Sequence, residues 1–190
     1  MTVSERLDLD GRNLEEVPKL NSAYHEALKL LNLQHNLIIS LRGVELLRQL
    51  VFLDLYDNRI MDMRPISSLV NLRVLMLGKN YIKRIDGLIN LERLDVLDMH
   101  ANLLTSTKGL ERQKHLRTLN LAGNQLKDVD FEHLSALTEL NLRRNQIERI
   151  TGLHSLEYLS RVYLSFNNIA KWDDIWCLGD VTDLTELTLG

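Results

Sequence analysis

A single cysteine, Cys177, occurs in 190 residues, which excludes an internal disulfide framework and fits a reducing compartment. Long apolar runs are missing as well. Asp, Asn or Arg interrupts every hydrophobic stretch within a few residues, so no segment is long enough to cross a bilayer, and no secretory leader opens the chain. A cytoplasmic protein is expected. Charge imbalance is absent too: a formal net charge of -3 with 26% charged residues gives no reason to expect nucleic acid or an anionic membrane as the main partner. There is no Pro-, Gly- or Ser-rich linker, and its absence points to one elongated unit.

What the chain does have is a period. "LNLQHN" ends at Asn36, and the same frame gives "LDLYDN" at Asn58, "LMLGKN" at Asn80, "LDMHAN" at Asn102, "LNLAGN" at Asn124, "LNLRRN" at Asn145 and "VYLSFN" at Asn167. These asparagines step by 22, 22, 22, 22, 21 and 22 residues. Each copy matches L-x-x-L-x-L-x-x-N-x-L, the leucine-rich repeat. The "GKN" ending at Asn80 is therefore no phosphate loop: it lacks the second glycine and the hydroxyl that such a loop needs.

The frame predicts a fold. In "LRVLMLGKN", Leu72, Leu75 and Leu77 point inward, and the alternation around the last two is the period-two signature of a strand with one buried face. One repeat cannot bury its own leucines, but parallel stacking makes a continuous core. The expected architecture is an α/β solenoid, a right-handed arc. It carries a parallel concave sheet of about eight strands, about 34 Å across, and short helical or 3-10 turns on the convex side. The i, i+3 rhythm of Ile82, Ile85, Leu88 and Leu91 suits such turns. Glycine in "SLRGV", "RIDGL", "STKGL" and "RITGL" permits the bend there. The seven asparagines are read as structural, a ladder of amides satisfying backbone groups that leave sheet register.

Residues 1–27 read as an N-terminal capping repeat with Arg12 at the asparagine position, 28–183 as seven repeats, and 184–190 as a truncated eighth repeat that stops before its asparagine. A chain cut from a longer protein is the expectation.

With the leucines committed to packing, function falls to the variable positions between them. Aligned across copies, Phe52, Tyr56, Val74, Met76 and Val96 form an apolar patch edged by Asp54, Asp57 and Asp98, and Arg143, Arg144 and Arg161 form a basic patch beside Tyr163. Two readings stand for each. The apolar residues either shield one another on the sheet or await a partner; Arg161 either pairs with Glu139 across strands or meets an acidic ligand with the other arginines. Asp54, Asp98 and His100 can be drawn as an acid-base or metal cluster, but a metal site needs three or four converging ligands. His25, His35, His115, His133 and His154 fall in different parts of the repeat and are not expected to converge. No cofactor or metal is expected, and no catalytic residue is assigned. Trp172 and Trp176, beside Asp173 and Asp174, read as a capped helix with two aromatic residues over the core; Cys177 reads as a small buried apolar residue.

The spacing and the form L-x-L-x-x-N-x-I-x-x-I-x-G-L resemble the intracellular class typified by a regulatory subunit of protein phosphatase 1, and the chain lacks the cysteine-rich caps usual in secreted members. "LNLQHNLI", "LDLYDNRI", "LDVLDMHAN", "TELNLRRNQI", "LSFNNI" and the opening "LDLDGRNLEEVP" are similar to the leucine-rich repeat subunit of the tubulin polyglutamylase complex. That resemblance implies a non-catalytic adaptor at the cytoskeleton, basal body or cilium, with tubulin-modifying subunits as partners; the first implies phosphatase 1 as the partner. The second family continues beyond its repeats, where this chain stops mid-strand.

Overall fold

The computed structural model describes residues 4–171 and 183–189. Its spine is one parallel sheet of nine strands, each three residues long. In order across the sheet these are β1 (Arg6–Asp8), β2 (Leu30–Asn32), β3 (Phe52–Asp54), β4 (Val74–Met76), β5 (Val96–Asp98), β6 (Thr118–Asn120), β8 (Glu139–Asn141), β10 (Arg161–Tyr163) and β11 (Glu186–Thr188). Each strand is an x-L-x or x-V-x triad, and registry is strict: Leu7, Leu31, Leu53, Leu75, Leu97, Leu119, Leu140, Val162 and Leu187 form one inward row. Backbone bonds continue the pairing beyond the triads, as where Leu33 N donates to Asp54 O and His35 N to Tyr56 O.

Nine strands replace the expected eight or so because the cap contributes a full one. Arg6, Leu7 and Asp8 pair with Leu30, Leu31 and Asn32. A helix, α1 (Ser22–Ala27), then follows, its N-terminus capped by the Asn21 side chain.

The leucines close a continuous core: Leu53, Leu75, Leu97, Leu119 and Leu140 are 0% exposed, as are the turn residues Ile60, Met63, Ile66 and Leu69. Burying one such side chain favours folding by roughly 1.5–3 kcal/mol, but only when a neighbouring repeat supplies the other wall. The amide ladder supplies the polar half of that closure. Asn80 Nδ2 donates to Leu77 O and Gly78 O in its own turn and to Leu55 O in the turn before, while its Oδ1 accepts Ile60 N. The same set recurs at Asn58, Asn102, Asn124 and Asn145. Rather than bonding to one another, the asparagines each tie one turn's backbone to the previous one. At the cap, where Arg12 takes the asparagine position, Asn36 Oδ1 accepts two backbone donors, Arg12 N and Leu14 N.

The residue before each ladder asparagine turns left-handed: His35, Asp57, Lys79, Ala101, Gly123, Arg144 and Phe166 all have φ between 52° and 67°. The bend glycines Gly43, Gly87, Gly109 and Gly152 also have positive φ. At Gly109 a Cβ would lie 1.9 Å from Ile85 O, so two turns approach there too closely for any side chain.

The outer turns are 3-10 at Val44–Leu46, Arg64–Ser68 and Leu153–Ser155. Elsewhere the expectation of helical turns needs correcting: β7 (Asp128–Asp130) and β9 (Arg149–Thr151) form a separate two-stranded parallel sheet. Val129 and Ile150 are β-branched, buried and flanked by exposed polar residues, which favours an extended backbone. The 21-residue repeat belongs to this region, and Phe131, 1% exposed, fills the room that a longer turn fills elsewhere. Among the described residues no helix is long and apolar enough to cross a membrane. The expected tryptophan-bearing helix and Cys177 lie outside the described residues.

Candidate protein-binding surface

Because side chains alternate along each triad, the residues flanking the inward leucines all emerge on the sheet's solvent face. Pairing sets them in rows. Leu30, Phe52, Val74, Val96, Thr118, Glu139 and Arg161 are successive cross-strand partners, and so are Asn32, Asp54, Met76, Asp98, Asn120, Asn141 and Tyr163. The expected apolar patch is therefore assembled, but its members shield one another: Phe52, Tyr56, Val74, Met76 and Val96 are half-buried, and Leu30 at the end of the row is 38% exposed. Just after the asparagines of repeats one to three, Ile39 (55%), Met61 (66%) and Tyr81 (49%) are more open to water than any of these. They were legible as apolar residues on either side of the buried Ile38, Ile60 and Ile82.

A third row follows the strands, and it is aromatic at one end. His35 meets the Tyr56 ring edge-on with centroids 5.4 Å apart, and Tyr56 lies 5.6 Å from His100 two repeats away. Gly78 makes that contact possible: a Cβ there would fall 2.4 Å from the His100 ring. Lys79 Nζ sits 4.9 Å from the Tyr56 centroid, a cation held against a ring face. His35 is thereby linked to His100 through the Tyr56 ring.

Carboxylates lock this row. Asp98 Oδ1 takes His100 Nδ1 at 2.6 Å and His100 N at 2.9 Å, while Oδ2 accepts Asn120 Nδ2. The bond to Asp98 raises the His100 pKa above the usual imidazole value. Any stability gained from that shift is full below the unfolded-state pKa and lost as pH rises through the higher folded one. Burial also raises the Asp54 carboxyl pKa, against the lowering effects of the Tyr56 N–H that it accepts and of His35, and Asp10 and Asp98 add to the rise. Among the described residues no group of three or more His, Cys, Asp or Glu converges as a metal site would require.

At the far end, Arg161 and Glu139 form a two-pronged ion pair at 2.6 and 3.0 Å. Arg143 and Arg144 do not share that fate. The Arg143 guanidinium lies 4.4 Å from the Tyr163 centroid, and that of Arg144 5.5 Å from the Phe166 centroid. Tyr163 OH donates to Glu186, and burial raises its pKa. Asp57 is exposed at the rim.

A model of paired leucine-rich repeats matches residues 48–90, 70–112 and 114–155, together more than half of the chain. The chain belongs to the leucine-rich repeat family. Its repeats are 45% identical, over 66 residues, to human leucine-rich repeat-containing protein 49; the match covers 35% of this chain and 9% of that protein, so the chain corresponds to a small part of that relative's length. Among solved structures, the internalin InlC2 of Listeria monocytogenes superposes with a TM-score of 0.84 at 24% identity, over 98% of this chain and 80% of that one. The internalin InlF of the same organism gives 0.77 at 25% identity, over 90% and 51%. These likenesses carry the leucine-rich repeat fold: a parallel-sheet solenoid with few helices.

Proposed function

We propose that this leucine-rich repeat chain is a non-catalytic adaptor that binds a partner protein on the solvent face of its sheet. The observation that carries the reading is registry. Nine strands in one strict register merge their variable side chains into a single surface, apolar around Phe52, Val74, Met76 and Val96 and bordered by Asp54, Asp57, Asp98 and His100. Clustered half-buried apolar groups with a charged border are what a protein partner can dehydrate. The face is shallow and open, whereas catalysis calls for convergent titratable groups in an enclosing pocket.

The assembly we assign it to is a microtubule- or cilium-associated complex of the tubulin polyglutamylase kind. Support comes from the repeat motifs that resemble that complex's leucine-rich repeat subunit. Asp54→Arg combined with Met76→Glu leaves the inward leucines intact, so the variant should fold and lose its partners in affinity purification of the full-length protein. Unchanged recovery would refute the sheet face as the binding surface. Tubulin-modifying subunits among the wild-type partners are the expected result; capture of purified phosphatase 1 catalytic subunit in their place would move the reading to phosphatase regulation.

A further inference from the structure

The second row of the sheet's solvent face changes in charge along the solenoid, while the first row keeps Glu139 and Glu186 in its far half. Over the first five strands the second row and the rim beside it carry Asp8, Asp54, Asp57 and Asp98. From β6 onward the same row reads Asn120, Asn141, Tyr163 and Thr188, without a carboxylate. Arginines take over there. Those that face inward charge elsewhere are neutralised, as Arg161 is by Glu139 and Arg117 by Asp95. Arg143 and Arg144 are instead held by the faces of Tyr163 and Phe166, with Arg143 Nη2 donating to Thr188 Oγ1 at 3.4 Å. Stacking fixes a guanidinium by its face and leaves its N–H edges for a planar anion.

In the acidic half Asp8 is already paired with Arg6 and Asp98 with His100, so among the described residues the unmet charge centres on Asp54. Asp54 accepts the Tyr56 N–H within its own turn and has no ion-pair partner among the described residues. Its carboxyl pKa is raised, first by burial with smaller additions from Asp10 and Asp98, and the Tyr56 N–H and His35 offset this only in part, so an arriving cation would relieve a cost already present. Lys79 is engaged on the Tyr56 ring. Between the two halves the rim positions are Ala101, Ala122 and Gly123, and no long side chain blocks a backbone crossing from one to the other.

We infer that this face takes an extended segment of a partner protein carrying two charge clusters, basic residues over Asp54 and Asp98 and acidic residues at Arg143 and Arg144. The inference rests on the sheet face being the binding surface and adds the charge pattern of what binds. Four strand steps separate β3, which carries Asp54, from β8, about 19 Å, or about six extended residues between the Asp54 and Arg143 contacts.

The test uses the purified chain, labelled with 15N, and three synthetic ten-residue peptides sharing a Gly/Ser centre: two lysines and two glutamates at opposite ends, lysines at both ends, or glutamates at both ends. The mixed peptide should shift amides around both Tyr56 and Arg143 and bind about five- to tenfold more tightly than either single-sign peptide. A nitroxide on its glutamate end should broaden the Arg143, Arg144 and Phe166 amides selectively. Arg143→Ala with Arg144→Ala should reduce the mixed peptide to the affinity of the all-lysine one. Equal affinity for the three peptides, no binding by any, or broadening spread evenly along the face would each overturn the inference. Partner purification keeps the two ideas apart. Partners lost with Asp54→Arg/Met76→Glu but retained with Arg143→Ala/Arg144→Ala defeat the charge pattern alone; partners retained by both variants defeat the binding face itself.

Discussion

The turn after Asn58 and the turn after Asn102 have the same length and frame, yet they close the core with different materials. The first points Met63, Ile66 and Leu69 inward, all 0% exposed. The second has Thr107, Leu110 and Gln113 at the same places. Thr107 is half-buried beside a cleft of about 330 Å³ walled by Leu110, Val129, Phe131 and Leu134. Gln113 is 2% exposed; its Nε2 donates to Leu88 O at 2.8 Å, and its Oε1 has no hydrogen-bond partner. A solenoid tolerates this because its stability is approximately a sum over neighbouring repeats. One poorly closed turn lowers the sum without unravelling the rest, and the Asn102 repeat is the weak joint between two better ones.

The contrast can be broken most forcefully by giving the good turn the defect of the poor one. Leu69→Gln buries an amide where leucine was fully enclosed, and should cost about 2–4 kcal/mol in urea unfolding; a cost below about 1 kcal/mol would show that any turn absorbs a buried amide. The reverse change has a smaller effect. Gln113→Leu removes the orphan oxygen and forfeits one bond to Leu88 O, and should stabilise by about 1 kcal/mol. Its amide protection should rise most in the turns on either side, as read by hydrogen exchange. Least of all, Thr107→Val keeps the shape, loses the 3.4 Å contact to Asp130 O, and should add about 0.5 kcal/mol by burying one more methyl against the cleft wall.

Much of this architecture was legible from spacing alone. The asparagine period located the seven strands of the large sheet from β2 to β10, and the four bend glycines do take positive φ. Other features were hidden for identifiable reasons. The cap strand was undercounted because Arg12 breaks the motif, although strand pairing needs only Leu7 inside and polar neighbours outside. The small sheet of β7 and β9 escaped notice because a period-three apolar rhythm does not distinguish a 3-10 turn from an extended pass of three residues. Left-handed backbone at His35, Asp57, Lys79, Ala101, Arg144 and Phe166 has no signature in the residue types themselves; its position is fixed by the asparagine that follows each. At the candidate site the rows of Phe52, Val74 and Val96 and of Asp54, Met76 and Asp98 follow directly from the frame. The stack of His35, Tyr56 and His100 does not, since it depends on Gly78 leaving a gap and on side chains crossing two repeats.

Period and composition by themselves determined that leucines would form one shared core, that asparagines would serve the backbone, and that the remaining positions would line up in rows. A repeat that cannot bury its own apolar face has no other stable arrangement. Tertiary structure alone decided which members of those rows are spent on one another. Glu139 neutralises Arg161 while Arg143 and Arg144 rest on aromatic rings, and Phe52, Val74 and Val96 stand half-buried as cross-strand neighbours. Pairing of that kind depends on distances of a few ångströms between residues 20 or 22 apart in the chain, and those distances exist only once the turns are stacked.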